Sequence, residues 1–183
     1  MIHVLYLDDE EHNLTAFRAA FRREFQVHVT TVPSEAVRIL KEHPIEVVIS
    51  DQKMPELSGV EFFEMIMADH PNPVRMLLTG HADIDAVIDA INKGRIYKYI
   101  SKPWNEGELK RLVEEASELH RARVRSSQLN QSYANNLTLL RAGLVDLLTQ
   151  CQSNTDLGEK EREGWADSLK RAIRWIEHPE SDY

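Results

Sequence analysis

Glu46-Val47-Val48-Ile49-Ser50-Asp51-Gln52-Lys53-Met54-Pro55-Glu56-Leu57-Ser58-Gly59 is the stretch whose reading decides the fold. Its first half is a short apolar run without the polar alternation of a half-exposed strand, and such a run suits a strand covered by helices on both faces. It ends on an acid, Asp51, and passes into a turn-rich segment that holds Pro55 and Gly59. Working outward, comparable runs occupy residues 3–7, 26–32, 74–78 and 97–101, and Met76-Leu77-Leu78 is again unbroken.

Between these runs lie helical patterns with start signals: Asn13 ahead of Leu14 and Phe17, Ser34 after Pro33, and Asp83 ahead of Ile84, Val87, Ile88 and Ile91. Gly94 suits a helix stop. Strand-like runs alternating with helical patterns are the mark of parallel strands joined by crossover helices, so residues 1–120 are expected to form an α/β domain with a doubly wound five-stranded parallel sheet. Ligands of such sheets bind outside the carboxyl ends of the strands.

The pattern changes after Pro103. Asn105 reads as an N-cap, and apolar residues then keep a heptad phase through Leu109, Leu112, Ala116 and Leu119 and again through Tyr133, Leu137, Leu140, Leu144, Leu147 and Cys151. The polar stretch 121–132 between them is open to two readings, a solvated bridge within one long helix or a linker. A turn around residues 153–158 precedes a second helix with Trp165, Leu169, Ala172, Ile173 and Ile176 along one face. Residues 121–183 are therefore expected to be an all-α extension, a helical hairpin or coiled coil. A lone hairpin buries little, so pairing two copies into a four-helix bundle is the economical way to cover both stripes, and a homodimer is expected. Packing of the leucines back onto the first domain is the competing arrangement.

The 22 Lys and Arg against 30 Asp and Glu give a net charge of -8, which argues against a surface built to neutralise nucleic-acid phosphates. Residues 159–177 mix acids and bases and offer no basic recognition helix. The single cysteine, Cys151, rules out a disulfide framework and a thiolate metal cluster. The start of the chain reads as a strand rather than a signal peptide, and no apolar run reaches membrane-spanning length, so a soluble cytoplasmic protein without membrane contact is expected. No histidine falls in a zinc-protease or hydrolase motif, and His120 reads as a surface helical residue.

The residues ending successive strands carry the chemistry: Asp8 and Asp9, Asp51, Thr79, and Lys102. All belong on one rim. Three carboxylates converging there would repel one another unless a hard divalent cation holds them, and magnesium, with oxygen ligands and exchangeable waters, suits that set. Asp51 would then be a nucleophile able to form an acyl phosphate, Lys102 a point charge on a phosphoryl oxygen, and Thr79 a hydroxyl donor to another. Each signal also has a plainer reading: Asp8-Asp9 as a solvated acidic pair, Pro55 and Gly59 as turn residues, Tyr99 as a core aromatic with a wet hydroxyl.

Taken together, Asp8-Asp9, the D-x-x-M-P-x-x-x-G pattern from Asp51 to Gly59, Thr79-Gly80 and Lys102-Pro103 resemble the receiver domains of two-component response regulators over roughly residues 1–120. The resemblance implies a flavodoxin-like strand order 2-1-3-4-5 and a cytoplasmic phosphoprotein, a signalling switch rather than an enzyme with an external substrate. It implies Mg2+ held by Asp9, Asp51 and the main-chain carbonyl of Lys53, with Asp8 acting through water. It also implies a phosphoryl group received on Asp51 from a sensor histidine kinase or phosphotransfer protein. Thr79 would move inward on phosphorylation and Tyr99 would follow it, changing the face made by the helix after Asp83, the last strand and the helix after it. Lys53 and His81 occupy the two positions that tune phosphoryl lifetime in similar proteins. The output would be dimerisation or an unidentified protein target. The alternative is a receiver-bearing fragment of a larger regulator with a cyclic-dinucleotide output enzyme, whose Gly-Gly-Asp-Glu-Phe or His-Asp/Gly-Tyr-Pro signatures do not occur in these 183 residues.

Overall fold

The computed structural model describes residues 1–80, 95–154 and 158–177. Its strands are β1 (Ile2–Leu7), β2 (Phe25–Thr30), β3 (Val47–Asp51), β4 (Val74–Thr79) and β5 (Lys98–Ser101). They form one sheet in the order β2-β1-β3-β4-β5 with every neighbouring pair parallel. The helices are α1 (Glu11–Phe21), α2 (Pro33–Glu42), α3 (Gly59–Met67), α4 (Glu106–Ser153) and α5 (Glu159–Glu177). The helix expected after Asp83, its stop at Gly94, and His81 lie outside the described residues.

Alternate residues of a strand face opposite sides of the sheet, and here both sides are covered. Tyr6, Ile49 and Met76 pack with Phe17 of α1 and with Leu109 and Leu112 of α4. Leu5, Val48 and Leu77 pack on the other side with Leu40 of α2 and Phe62 and Phe63 of α3. Every residue of β3 and β4 is buried, which is the physical reason their sequences read as unbroken apolar runs. Each large apolar side chain so buried stabilises the fold by about 2 kcal/mol.

Two helix starts differ from the sequence expectation. α1 begins at Glu11 after Glu10, which places Asn13 inside the first turn with its amide turned to Asp8 and Glu10 instead of capping. α2 begins at Pro33, with Val32 at the N-cap; proline's fixed φ and missing N–H suit the first helical position, so Ser34 is not needed there. Asn105 does cap α4, its Oδ1 accepting from the Glu108 N–H at 3.1 Å. α3 starts on a capping box in which Ser58 Oγ accepts from the Glu61 N–H and Glu61 Oε2 accepts from the Ser58 N–H at 2.8 Å.

α4 runs unbroken through the polar stretch 121–132, so the long-helix reading holds and the linker does not. Where it leaves the sheet it is held by Glu46, whose Oε2 accepts from Ser117 Oγ at 2.7 Å and Arg121 Nε at 2.9 Å. Two compact units divide within this helix, Met1–Arg125 and Ser126–Tyr183. In the second, Arg141 pairs with Glu177 at 2.8 Å while Cys151 lies against the Arg162 carbonyl, so α4 and α5 run antiparallel. Among the described residues of that unit Ala166 is the one buried, with Leu144, Leu148, Leu169 and Ile173 half-buried. Trp165, expected along the contact face, is 61% exposed, and Trp175 is 58% exposed, because the contact stripe of α5 passes through Ala166. Among the described residues no helix is long and apolar enough to cross a membrane.

Candidate functional site

The strand order brings the ends of β1, β3, β4 and β5 to one rim, and a cleft of about 240 Å³ opens there, lined by Asp8, Asp9, Glu10, Asp51, Lys53, Thr79, Gly80 and Lys102. Asp51 and Thr79 are the last residues of their strands, and Asp8 follows β1 directly. Register explains the convergence: Asp51 is paired with Leu78 and Thr79 with Ser101, so residues at these strand ends sit side by side. The Lys102-Pro103 peptide is cis. The Lys102 backbone N–H donates to the Thr79 carbonyl at 2.9 Å, fixing the lysine's origin beside β4.

Lys102 Nζ lies between two carboxylates. It contacts Asp8 Oδ2 at 2.8 Å and also Asp51 Oδ1. Asp51 Oδ2 accepts from the Lys53 N–H at 2.6 Å. Asp8 is fully buried and takes four donors: the Glu10 N–H at 3.0 Å and Asn13 Nδ2 at 2.9 Å on Oδ1, and Lys102 Nζ and the Tyr6 hydroxyl on Oδ2. Asp9 is exposed at the mouth. Thr79 is buried and its hydroxyl donates to the Gly80 carbonyl at 3.0 Å. Tyr99, on β5, is 41% exposed, so it is not a core aromatic here.

These contacts set the charge states. Burial works against an ionised Asp8, but the hydrogen bonds from Asn13, Lys102, Tyr6 and the Glu10 backbone outweigh it and hold the carboxyl below its ordinary value. Burial pushes Asp51 up, and Lys102 draws it back only in part, so it stays above its ordinary value. For Lys102 burial is again the largest influence, downward, yet Asp51 and Asp8 together overcome it and raise the ammonium. The asymmetry is physical: one cation is shared by two carboxylates.

Among the described residues no three acidic, histidine or cysteine side chains close on one point as a ready-made cation cage. The donors of the cleft nevertheless fit magnesium, which needs only one or two direct carboxylates beside waters. Asp9, Glu10 and Asp51 line the cleft beside Asp8, and Lys53 follows on the loop after β3. Asp8, saturated by its donors, is placed to act through another group.

Gly59 explains the spacing of the loop after β3. A Cβ there would collide with the main-chain oxygen of Asp51 and with Leu77, so only glycine lets α3 start against the acid's own backbone. The Gly59 N–H donates to the Gln52 carbonyl at 3.1 Å, and Gln52 Oε1 accepts from the Val60 N–H at 3.2 Å, which closes the loop. Three residues around Asp8, namely Tyr6, Glu10 and Asn13, were not singled out as site residues in the sequence. Tyr6 lies two before Asp8, and side chains two apart share a strand face, a signal hidden because a tyrosine in an apolar strand reads as core. Asn13 reads as a helix cap.

A family profile for the response regulator receiver domain matches residues 4–114. The chain belongs to that family. The hydrogenase transcriptional regulatory protein HoxA of Bradyrhizobium diazoefficiens is 34% identical over 118 residues, which cover 64% of this chain and 24% of that protein. HoxA of Cupriavidus necator is 32% identical over 150 residues, 82% of this chain and 31% of that protein. A response regulator receiver domain protein from Clostridium thermocellum, known by crystal structure, superposes with a TM-score of 0.61 at 30% identity, covering 68% of this chain and 98% of its own. The chain thus spans less than a third of the length of these curated relatives. The sheet order and helix placement are those of a flavodoxin-like receiver, followed by a long helix and a further helix.

Proposed function

We propose that this receiver accepts a phosphoryl group on Asp51 from a histidine kinase or phosphotransfer protein, in a magnesium-dependent reaction, and that the helical extension carries the output. The observation that carries the reading is Lys102 Nζ bridging Asp8 and Asp51 at the rim of the cleft. A bound Mg2+, held by Asp9, Asp51 and the Lys53 carbonyl, would offset repulsion between the carboxylates and the incoming phosphoryl oxygens. An Asp51 carboxylate oxygen forms the new bond to phosphorus while the donor's nitrogen–phosphorus bond breaks. Lys102 exchanges one carboxylate contact for a phosphoryl oxygen, and Thr79 exchanges the Gly80 carbonyl for another. The exposed Tyr99 ring has room to follow Thr79 inward. Lys53 and His81 would govern water's access to the acyl phosphate, and small residues at both would speed its loss. The chain transfers phosphoryl groups only to and from itself.

For domain organisation we assign residues 1–120 to the receiver and 121–183 to a hairpin that pairs with a second copy. Leu129, Tyr133, Leu139, Leu140, Leu147 and Trp165 are each more than half exposed, more apolar surface than a two-helix unit leaves to water without a partner. Tyr133, Leu140 and Leu147 repeat at heptad spacing, as a second helix pair would require. A cytoplasmic location suits a partner of a cytosolic kinase domain. The alternative, a receiver serving a larger regulator with a separate output module, draws on the matched stretch being only 24% and 31% of the two HoxA proteins.

Sedimentation with and without beryllofluoride and magnesium tests acceptor chemistry and output together. A mass that changes with beryllofluoride only when magnesium is present is expected. An unchanged monomer would remove the dimer output.

A further inference from the structure

Tyr6 is fully buried in the middle of the face covered by α1, where its ring packs on Phe17 with centroids 4.7 Å apart. Nothing in an apolar core requires a hydroxyl there. The hydroxyl reaches the rim of the sheet and donates to Asp8 Oδ2, the oxygen that also receives Lys102. A buried hydroxyl without water must keep its partner, so the bond is held by the packing of the ring as well as by its own strength. With Asn13 and the Glu10 N–H on Oδ1, the bond completes a set of four donors, about as many as a carboxylate's lone pairs accept.

Resting on the reading of this cleft as a magnesium and phosphoryl site, we infer that Tyr6 is a positioning residue: its hydroxyl keeps Asp8 turned toward Lys102 and away from the cation, and thereby lowers the receiver's affinity for magnesium. A phenylalanine would leave the ring in place and remove one of the two donors on Oδ2. The less compensated charge of Asp8, which lines the cleft, would then attract the cation more strongly. Asn13 does the same for Oδ1 from α1. A tyrosine that served only as core would give no tightening, because a change in core packing has no reason to strengthen the site.

The test is calorimetric titration of Mg2+ into the full chain and into Tyr6→Phe, Asn13→Ala and Phe17→Leu, with thermal unfolding of each. Tyr6→Phe is expected to bind Mg2+ about threefold to tenfold more tightly, and Asn13→Ala to shift the same way, so that the inference stays testable should one variant fold poorly. Phe17→Leu disturbs the same aromatic packing without touching a donor; it is expected to lower the melting temperature and leave the affinity unchanged. Tyr6→Phe and Asn13→Ala binding no more tightly than the wild type, while the wild type itself binds, would overturn the inference and leave the cleft reading standing. A wild type that takes up no Mg2+ would overturn both.

Discussion

Between Glu106 and Ser117, α4 buries Leu109, Leu112, Val113, Ala116 and Ser117 against the sheet, whereas from residue 125 to 143 every position of the same helix is exposed. The same kind of heptad spacing therefore yields a closed interface in the receiver and an open one in the extension. A helix draws most of its stability from burying its apolar face rather than from propensity. The receiver supplies the covering surface from its own sheet; among the described residues the extension supplies α5 alone, beside which Leu144, Leu148 and Cys151 are half-buried while Tyr133, Leu140 and Leu147 stay exposed.

The contrast can be broken by substitution. Gly59→Val is expected to have the largest effect, because a side chain there meets the Asp51 backbone, which cannot yield as a flexible side chain would. Overpacking of this kind costs about 3 kcal/mol, and chemical denaturation would read it. Leu112→Ala, in the closed part of α4, should cost somewhat less, about 2 to 3 kcal/mol. Leu140→Ala, in the open part, should cost less than about 0.5 kcal/mol at dilutions where the chain is monomeric and more as concentration rises. A concentration-independent loss as large as that of Leu112→Ala would mean that the extension is closed within one chain.

Within the receiver, Asp51→Asn separates the two buried carboxyls. The Asp51 carboxyl sits above its ordinary value, so its ionised form opposes folding at neutral pH, and the amide should raise the melting temperature in the absence of magnesium. That gain should shrink as the pH falls through the raised folded pKa, where the native acid becomes neutral too. Asp8 has the opposite sign: held below its ordinary value, it contributes stability above the usual carboxylate range and loses it as the pH falls through its lowered folded pKa. Unfolding curves of both proteins from neutral into acid solution would therefore converge before the wild type's own acid unfolding.

How legible the molecule is in its sequence follows the same division. Val47-Val48-Ile49 and Met76-Leu77-Leu78 are unbroken because both faces of β3 and β4 are covered, and a strand with one face in water would have alternated with polar residues instead. The rim follows from the strands, since Asp8, Asp51, Thr79 and Lys102 each stand where a strand ends. The less legible part depends on side-chain contacts: Asn13 satisfies the rule for a helix cap yet turns to Asp8, and the Tyr6 hydroxyl matters only because the fold sets it against Asp8. Trp165 misled for a related reason. Helical spacing put Trp165 on the face with Leu169 and Ile173, but the buried position is Ala166, since close approach of two helices favours the smaller residue.

Asp51 taking up phosphorus with the help of the cleft around it is the central claim. Intact-mass measurement of the full chain after incubation with a small phosphodonor, with and without Mg2+, tests this most directly, with Asp51→Asn run alongside. The predicted result is the gain of one phosphoryl group by the wild type only when Mg2+ is present, and none by Asp51→Asn. A wild type that stays unmodified, or an Asp51→Asn chain labelled to the same extent, would contradict it.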